Sequence, residues 1–212
     1  MKIETCYQDY EDRLEIIREI NAQFPRLVDL YTQLKREART SSKLYVVGYP
    51  RAVKEGGACG VNVLLDDQEL LFANQLVDYL NRIIELSAQK AGVRYVDVTT
   101  AFNGYRLCET DGSKAAFNGL TLGDDAPFPF GPIGNESFHP NKLGHQLYRQ
   151  KILEQTGNFT QAMPVANPGV QLPAENSGLA LLQAPKTNRA INETVNDDTI
   201  AEDRIYPNAL MA

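Results

Sequence analysis

Two short apolar runs, Leu44 to Pro50 and Val93 to Val98, bracket the most regular helical pattern in the chain, and that bracket decides the fold class. Asp66 with Glu69 reads as a capping box, after which Leu70, Ala73, Val77, Leu80, Ile84 and Leu86 recur at helical spacing until Gly92 stops the run. Each flanking run is short, nearly continuous in apolar residues and bounded by turn or polar residues, as a strand buried on both faces is. Strand, helix and strand in that order make a parallel pair joined by a right-handed crossover, which is an α/β fold. Functional groups in open α/β sheets collect just past such strand ends, so Pro50 to Val63 is expected as loop at the rim of a site. Arg51 there reads as structural or solvated, with contact to an anionic substrate group as the alternative. Asp97 reads as a strand-end hydrogen-bonding group rather than a catalytic acid.

Upstream, Leu14, Ile17, Ile20, Phe24, Leu27, Tyr31 and Leu34 also follow a helical period, with charged residues on the other face. Pro25 interrupts them, and the pattern predicts two helices, one ending near Asn21 or Ala22 and one starting at Pro25. Thr99 to Asn135 is rich in glycine, proline and aromatic residues. A loop of that length is usually functional, and its aromatics either wall a pocket or pack on one another. From residue 157 to 212 periodicity is lost and proline, asparagine and alanine accumulate, which predicts a tail or linker behind a unit spanning residues 1–156.

Charge and hydropathy exclude several partners. With a net charge of −6, nucleic acid or an anionic membrane surface is disfavoured, and 43% hydrophobic residues suffice for a core. No run approaches a membrane span, and Met1 to Cys6 lacks the apolar core of a signal peptide. The three cysteines, Cys6, Cys59 and Cys108, have no zinc spacing. Cys59 and Cys108 follow the two strands and could pair at one sheet end, leaving Cys6 alone; three reduced thiols is the other reading.

Both histidines lie in one stretch, Asn135-Glu136-Ser137-Phe138-His139-Pro140-Asn141-Lys142-Leu143-Gly144-His145. Imidazole exchanges protons near neutral pH, so His139 in a loop before a helix is a candidate general base. Glu136, three residues upstream, is the candidate to orient it by folding back to Nδ1. Asn141 is placed as the helix N-cap. A surface histidine before a helix is the plain alternative. The two histidines, six apart, make a poor metal pair, and no metal site is read here.

Ser137-Phe138-His139-Pro140-Asn141, with Gly144-His145, Val46 to Arg51 and Tyr95 to Val98, resembles the C-terminal half of an SGNH (GDSL-type) esterase or lipase over roughly residues 1–155. The resemblance implies the last strands and helices of a flavodoxin-like three-layer α/β/α fold, to which the composition after residue 156 adds a disordered tail. It implies His139 as general base and Glu136 as its acidic partner, although some members use a backbone carbonyl there. It further implies a small-molecule or lipid ester as substrate, no cofactor, and a secreted location with disulfides, Cys6 then pairing with a cysteine upstream. The family's Gly-Asp-Ser nucleophile block and Gly-x-Asn-Asp block do not occur in the sequence. The expectation is therefore an ester hydrolase in which the other half of the domain supplies the serine, this chain alone being inactive. A non-catalytic binding protein on the same scaffold is the competing expectation.

Overall fold

The computed structural model describes residues 9–39, 41–57, 59, 63, 66–110, 112–121 and 134–182. Helix α1 runs Tyr10–Glu37, strand β1 Tyr45–Val47, helix α2 Asp67–Ala91, strand β2 Arg94–Val96, helix α3 Lys142–Thr156 and helix α4 Glu175–Leu181, with a 3-10 turn at Gly112–Lys114. β1 and β2 pair in parallel, Tyr45 opposite Arg94 and Val47 opposite Val96. The pairing continues beyond the strands through Arg51 N–H to Thr99 C=O at 3.1 Å and Lys54 N–H to Leu107 C=O at 2.8 Å. This is part of an α/β fold, as the apolar runs and the helix between them predict.

Helix α2 has the predicted ends. Asp66 accepts from the N–H groups of Gln68 and Glu69, the Glu69 carboxylate accepts from Asp66 N–H, and Gly92 closes the helix in the left-handed region at φ 69°. Two asparagines seven residues apart interrupt its apolar stripe, and both are buried. Asn74 donates to Val53 C=O and to Glu55. Asn81 accepts from Tyr49 N–H and donates to Tyr49 C=O, both at 2.7 Å, and also reaches Thr99 Oγ1. The helix thereby fixes the loops that leave both strands.

The break predicted at Pro25 does not occur, and α1 is one helix through it. Pro25 cannot donate to the Asn21 carbonyl, a loss of about 3 kcal/mol. Ile17 and Phe24 on either side pack with Tyr79, Ile83 and Leu86 of α2, and Tyr31 packs with Ala88, Ala91 and Val93. At about 2 kcal/mol for each large apolar side chain buried, continuous packing outweighs the lost bond.

The tail predicted from residue 157 is also corrected as far as Leu182. Carbonyls along this segment accept from cationic side chains of the body: Phe159 from Lys43, Ala162 from Arg94, and both Pro168 and Val170 from Lys90. Asn167 N–H donates to Gln89 C=O at the end of α2. α4 then lies against α1, and Leu182 is fully buried beside Ile17, Tyr79 and Ile83. Residues 183–212 lie outside those described, as do Cys6, Phe128 and Phe130.

A second apolar cluster, Val53, Val63, Leu70, Leu107, Cys108 and Ala115, sits where loops meet the start of α2. The Cys59–Cys108 disulfide crosses it. Beside it, Glu109 pairs with Arg106 at 2.8 Å and accepts from the N–H groups of Gly104 and Arg106. The Arg106 hydrogen bond, aided by those amides, lowers the Glu109 carboxyl from 4.5 to about 2 against the opposing effect of burial. A carboxyl depressed in the folded state stabilises above its unfolded value. That contribution, about 2 kcal/mol after solvent screening, is expected to fade as pH falls from about 4.5 through about 2. Urea midpoints from pH 6 to pH 2.5 should fall less for Glu109→Gln than for the wild type; equal slopes would remove Glu109 from the acid response.

β1 differs from its expectation in one respect. Its three residues are only half-buried, whereas Val96 and Val98 are buried. Among the described residues β1 has a strand partner on one edge only.

Candidate active site

The turn carrying His139 is built by pairing with residues 115–121. Asn118 N–H donates to His139 C=O at 2.9 Å, and Asn118 Nδ2 donates to Glu136 C=O at 3.1 Å. Ser137 Oγ meets Thr121 three times: it accepts from Thr121 N–H at 2.9 Å, lies 3.0 Å from Thr121 Oγ1, and donates to Thr121 C=O at 3.2 Å. Helix α3 follows at once, because Asn141 Oδ1 accepts from Gly144 N–H as the N-cap while Asn141 Nδ2 donates to Ala115 C=O at 2.7 Å. That is the capping role predicted for Asn141.

His139 itself is exposed. Its Nδ1 lies 3.0 Å from the Ser137 carbonyl oxygen. A carbonyl only accepts, so this bond requires the proton on Nδ1 and leaves the Nε2 lone pair free. Phe138, between the two, has φ 56°, and this left-handed residue turns the Ser137 carbonyl back toward the ring. Glu136 was the expected partner. Its carboxylate is exposed and makes no hydrogen bond to His139, and it enters the turn only through its backbone carbonyl, which accepts from His139 N–H and Asn118 Nδ2. Sequence spacing brings Glu136 near the histidine, but the tight turn places the nearer carbonyl on Nδ1 first.

The other candidates are accounted for structurally. Arg51 forms a two-pronged pair with Asp78 of α2, and this bond raises its already high pKa. Asp97 accepts from Thr99 N–H in a local turn. Phe102 is fully buried and stacks at tilted angles on Phe117 and Tyr148, so these loop aromatics pack on one another. Tyr148 of α3 donates to the Gly48 carbonyl at the end of β1, and burial pushes its hydroxyl up to about 12. A shallow groove beside the turn, lined by Glu136, Asn141, His145 and Arg149, does not take in His139. Among the described residues, no three His, Cys, Asp or Glu side chains gather as a metal site requires, and no helix is long and apolar enough to cross a membrane.

No family model matches the sequence. Over 104 residues it is 34% identical to a lipase of Streptomyces rimosus, a match covering 49% of this chain and 33% of the relative. Phospholipase A1 of Streptomyces albidoflavus NA297 superposes with a TM-score of 0.51 and 26% identity, over 71% of this chain and 60% of that one. The chain is related to the SGNH-type lipases over part of its length. The extracellular lipase of Streptomyces rimosus gives a TM-score of 0.49 at 24% identity, with the same coverage. The chain thus spans about a third of the curated lipase it matches and 60% of the two solved structures.

Sequence reasoning singled out His139 as a candidate and Asn141 as the helix cap, but not the parts played by Ser137, Asn118 or Thr121. A backbone acceptor has no sequence signature, and the two anchors lie 16 to 18 residues before their partners. The heptad-spaced Asn74 and Asn81 did carry a signal: a polar residue recurring within an apolar stripe has a bonding task there.

Proposed function

We propose that this chain supplies the general base of an SGNH-type carboxylic ester hydrolase, with His139 as that base. The observation that carries the reading is the Nδ1 bond to the Ser137 carbonyl, which leaves Nε2 free to take a proton. A serine from outside these 212 residues, where the Gly-Asp-Ser block belongs, would pass its proton to Nε2 while its Oγ bonds the ester carbonyl carbon. The resulting imidazolium returns the proton to the leaving alkoxide as the ester C–O bond breaks. Water then repeats the cycle on the acyl-enzyme, its proton going first to Nε2 and then to the serine oxygen.

A neutral carbonyl orients the ring and stabilises the imidazolium less than a carboxylate would, and the reading gives the orienting role to Ser137 rather than to Glu136. Similarity to a lipase and a phospholipase A1 favours lipid or other esters as substrate, and the Cys59–Cys108 bridge favours a secreted protein. The hydrolase unit extends through the packed segment to Leu182 rather than ending at residue 156.

The test is hydrolysis of p-nitrophenyl butyrate by the polypeptide of the whole reading frame containing this sequence. His139→Ala is expected to lower kcat at least about a thousandfold, and Glu136→Gln to change it less than about threefold. Full activity in His139→Ala would sink the proposal. Turnover by the 212-residue chain alone would place the nucleophile within it and overturn the division of roles.

A further inference from the structure

We infer that Ser137 and Thr121 form a hydroxyl clasp whose task is to fix the tautomer of His139, making both positioning residues of the base. The inference rests on the reading of His139 as base but is tested without turnover. Ser137 Oγ has one proton to donate and two lone pairs to accept with. Thr121 uses all three: its C=O takes the Ser137 proton, while its N–H and hydroxyl serve the lone pairs. So complete an engagement leaves the Ser137 side chain one orientation, and its carbonyl, 3.0 Å from His139 Nδ1, is fixed with it.

The backbone beyond Ser137 gives independent support. Phe138 adopts φ 56° and is 38% exposed, so core packing does not drive it into a conformation that bulky residues avoid. Such a conformation persists only when its surroundings over-determine it. On one side stands the clasp; on the other, Asn118 N–H holds the His139 carbonyl and Asn118 Nδ2 holds that of Glu136. Between these anchors the chain turns the Ser137 carbonyl toward the imidazole. A structural turn would need the anchors but not the carbonyl's aim at a ring nitrogen.

The experiment is nitrogen NMR of the purified chain at about pH 9, above the usual histidine range, where ring nitrogen shifts report the Nδ1–H to Nε2–H ratio. The chain has two histidines, and His145, on α3 and outside the bonds of the clasp, is the internal control. Wild-type His139 should be mainly Nδ1–H. Ser137→Ala keeps the carbonyl but removes the clasp, and should move the His139 ratio toward Nε2–H by about fivefold or more, the scale of one modest hydrogen bond, while His145 stays put. Ser137→Thr, which keeps the hydroxyl, should restore the wild-type ratio.

An unchanged His139 ratio in folded Ser137→Ala, or wild-type His139 found mainly as Nε2–H, overturns the inference. If Ser137→Ala unfolds the chain, both histidines move together, and Thr121→Val becomes the deciding variant: a shift confined to His139 supports the clasp and no shift refutes it. A tautomer that responds to the clasp in a protein whose esterase activity ignores His139 would leave the positioning intact and refute only the base.

Discussion

Replacing Cys59 and Cys108 together by alanine is expected to destabilise the chain by about 4 kcal/mol, from the chain entropy released when a loop of this length is opened. The bridge spans 49 residues and closes the second apolar cluster, where Val53, Val63, Leu107 and Ala115 are all supplied by loops. Loops of this kind have few regular hydrogen bonds to hold them in register, so the covalent link matters more here than it would between two packed helices. Cys108 also sits at φ 65°, a conformation the unbridged chain would tend to leave. For a protein of this size the melting temperature should drop by about 10 °C. Thermal unfolding of the double variant beside the wild type reads this directly. A melt unchanged within about 2 °C would mean that the loop cluster holds itself together.

Gly144→Ala should destabilise by about 2 kcal/mol or more, the reverse of what helix propensity predicts. In a free helix the change gains about 1 kcal/mol. Here the added Cβ would stand 2.1 Å from the Ala116 carbonyl oxygen and 2.9 Å from Pro140 Cβ. The carbonyl cannot move aside easily, because Ala116 C=O also accepts from Asn141 N–H and the neighbouring Ala115 C=O accepts from Asn141 Nδ2. Relief therefore comes from lifting the first turn of α3, which carries Asn141 and, two residues before it, His139. Urea unfolding measures the loss, and a gain in stability would show that the helix is not seated on this backbone. The same variant should loosen the His139 turn, so a stability effect without any change in the His139 ring signals would separate helix seating from site geometry.

Much of the fold was legible because it rests on side chains with strong local signatures. The capping box at Asp66 and Glu69, the stop at Gly92 and the apolar runs of the two strands each act within a few residues of where they are written. Pro25 misled because its local penalty is plain in sequence, while the packing that overrides it involves α2, about 50 residues later. The segment after residue 157 was illegible for another reason: its bonds are backbone carbonyls accepting from Lys43, Lys90 and Arg94, and carbonyls are the same in every residue. The candidate site divides along the same line. His139 and Asn141 announce themselves by residue type, whereas the Ser137 carbonyl that faces Nδ1 is a product of the turn alone.

Leu182 gives the chain an order of assembly. Because it lies at 0% exposure between Ile17 of α1 and Tyr79 and Ile83 of α2, the seam between the two long helices stays open to water until this residue has been synthesised. A nascent chain halted anywhere before it presents that seam as an apolar slot, the kind of surface that chaperones grip and that neighbouring nascent chains stick to. Completion of the helix pair thus waits on a residue about a hundred positions beyond the helix that it seals.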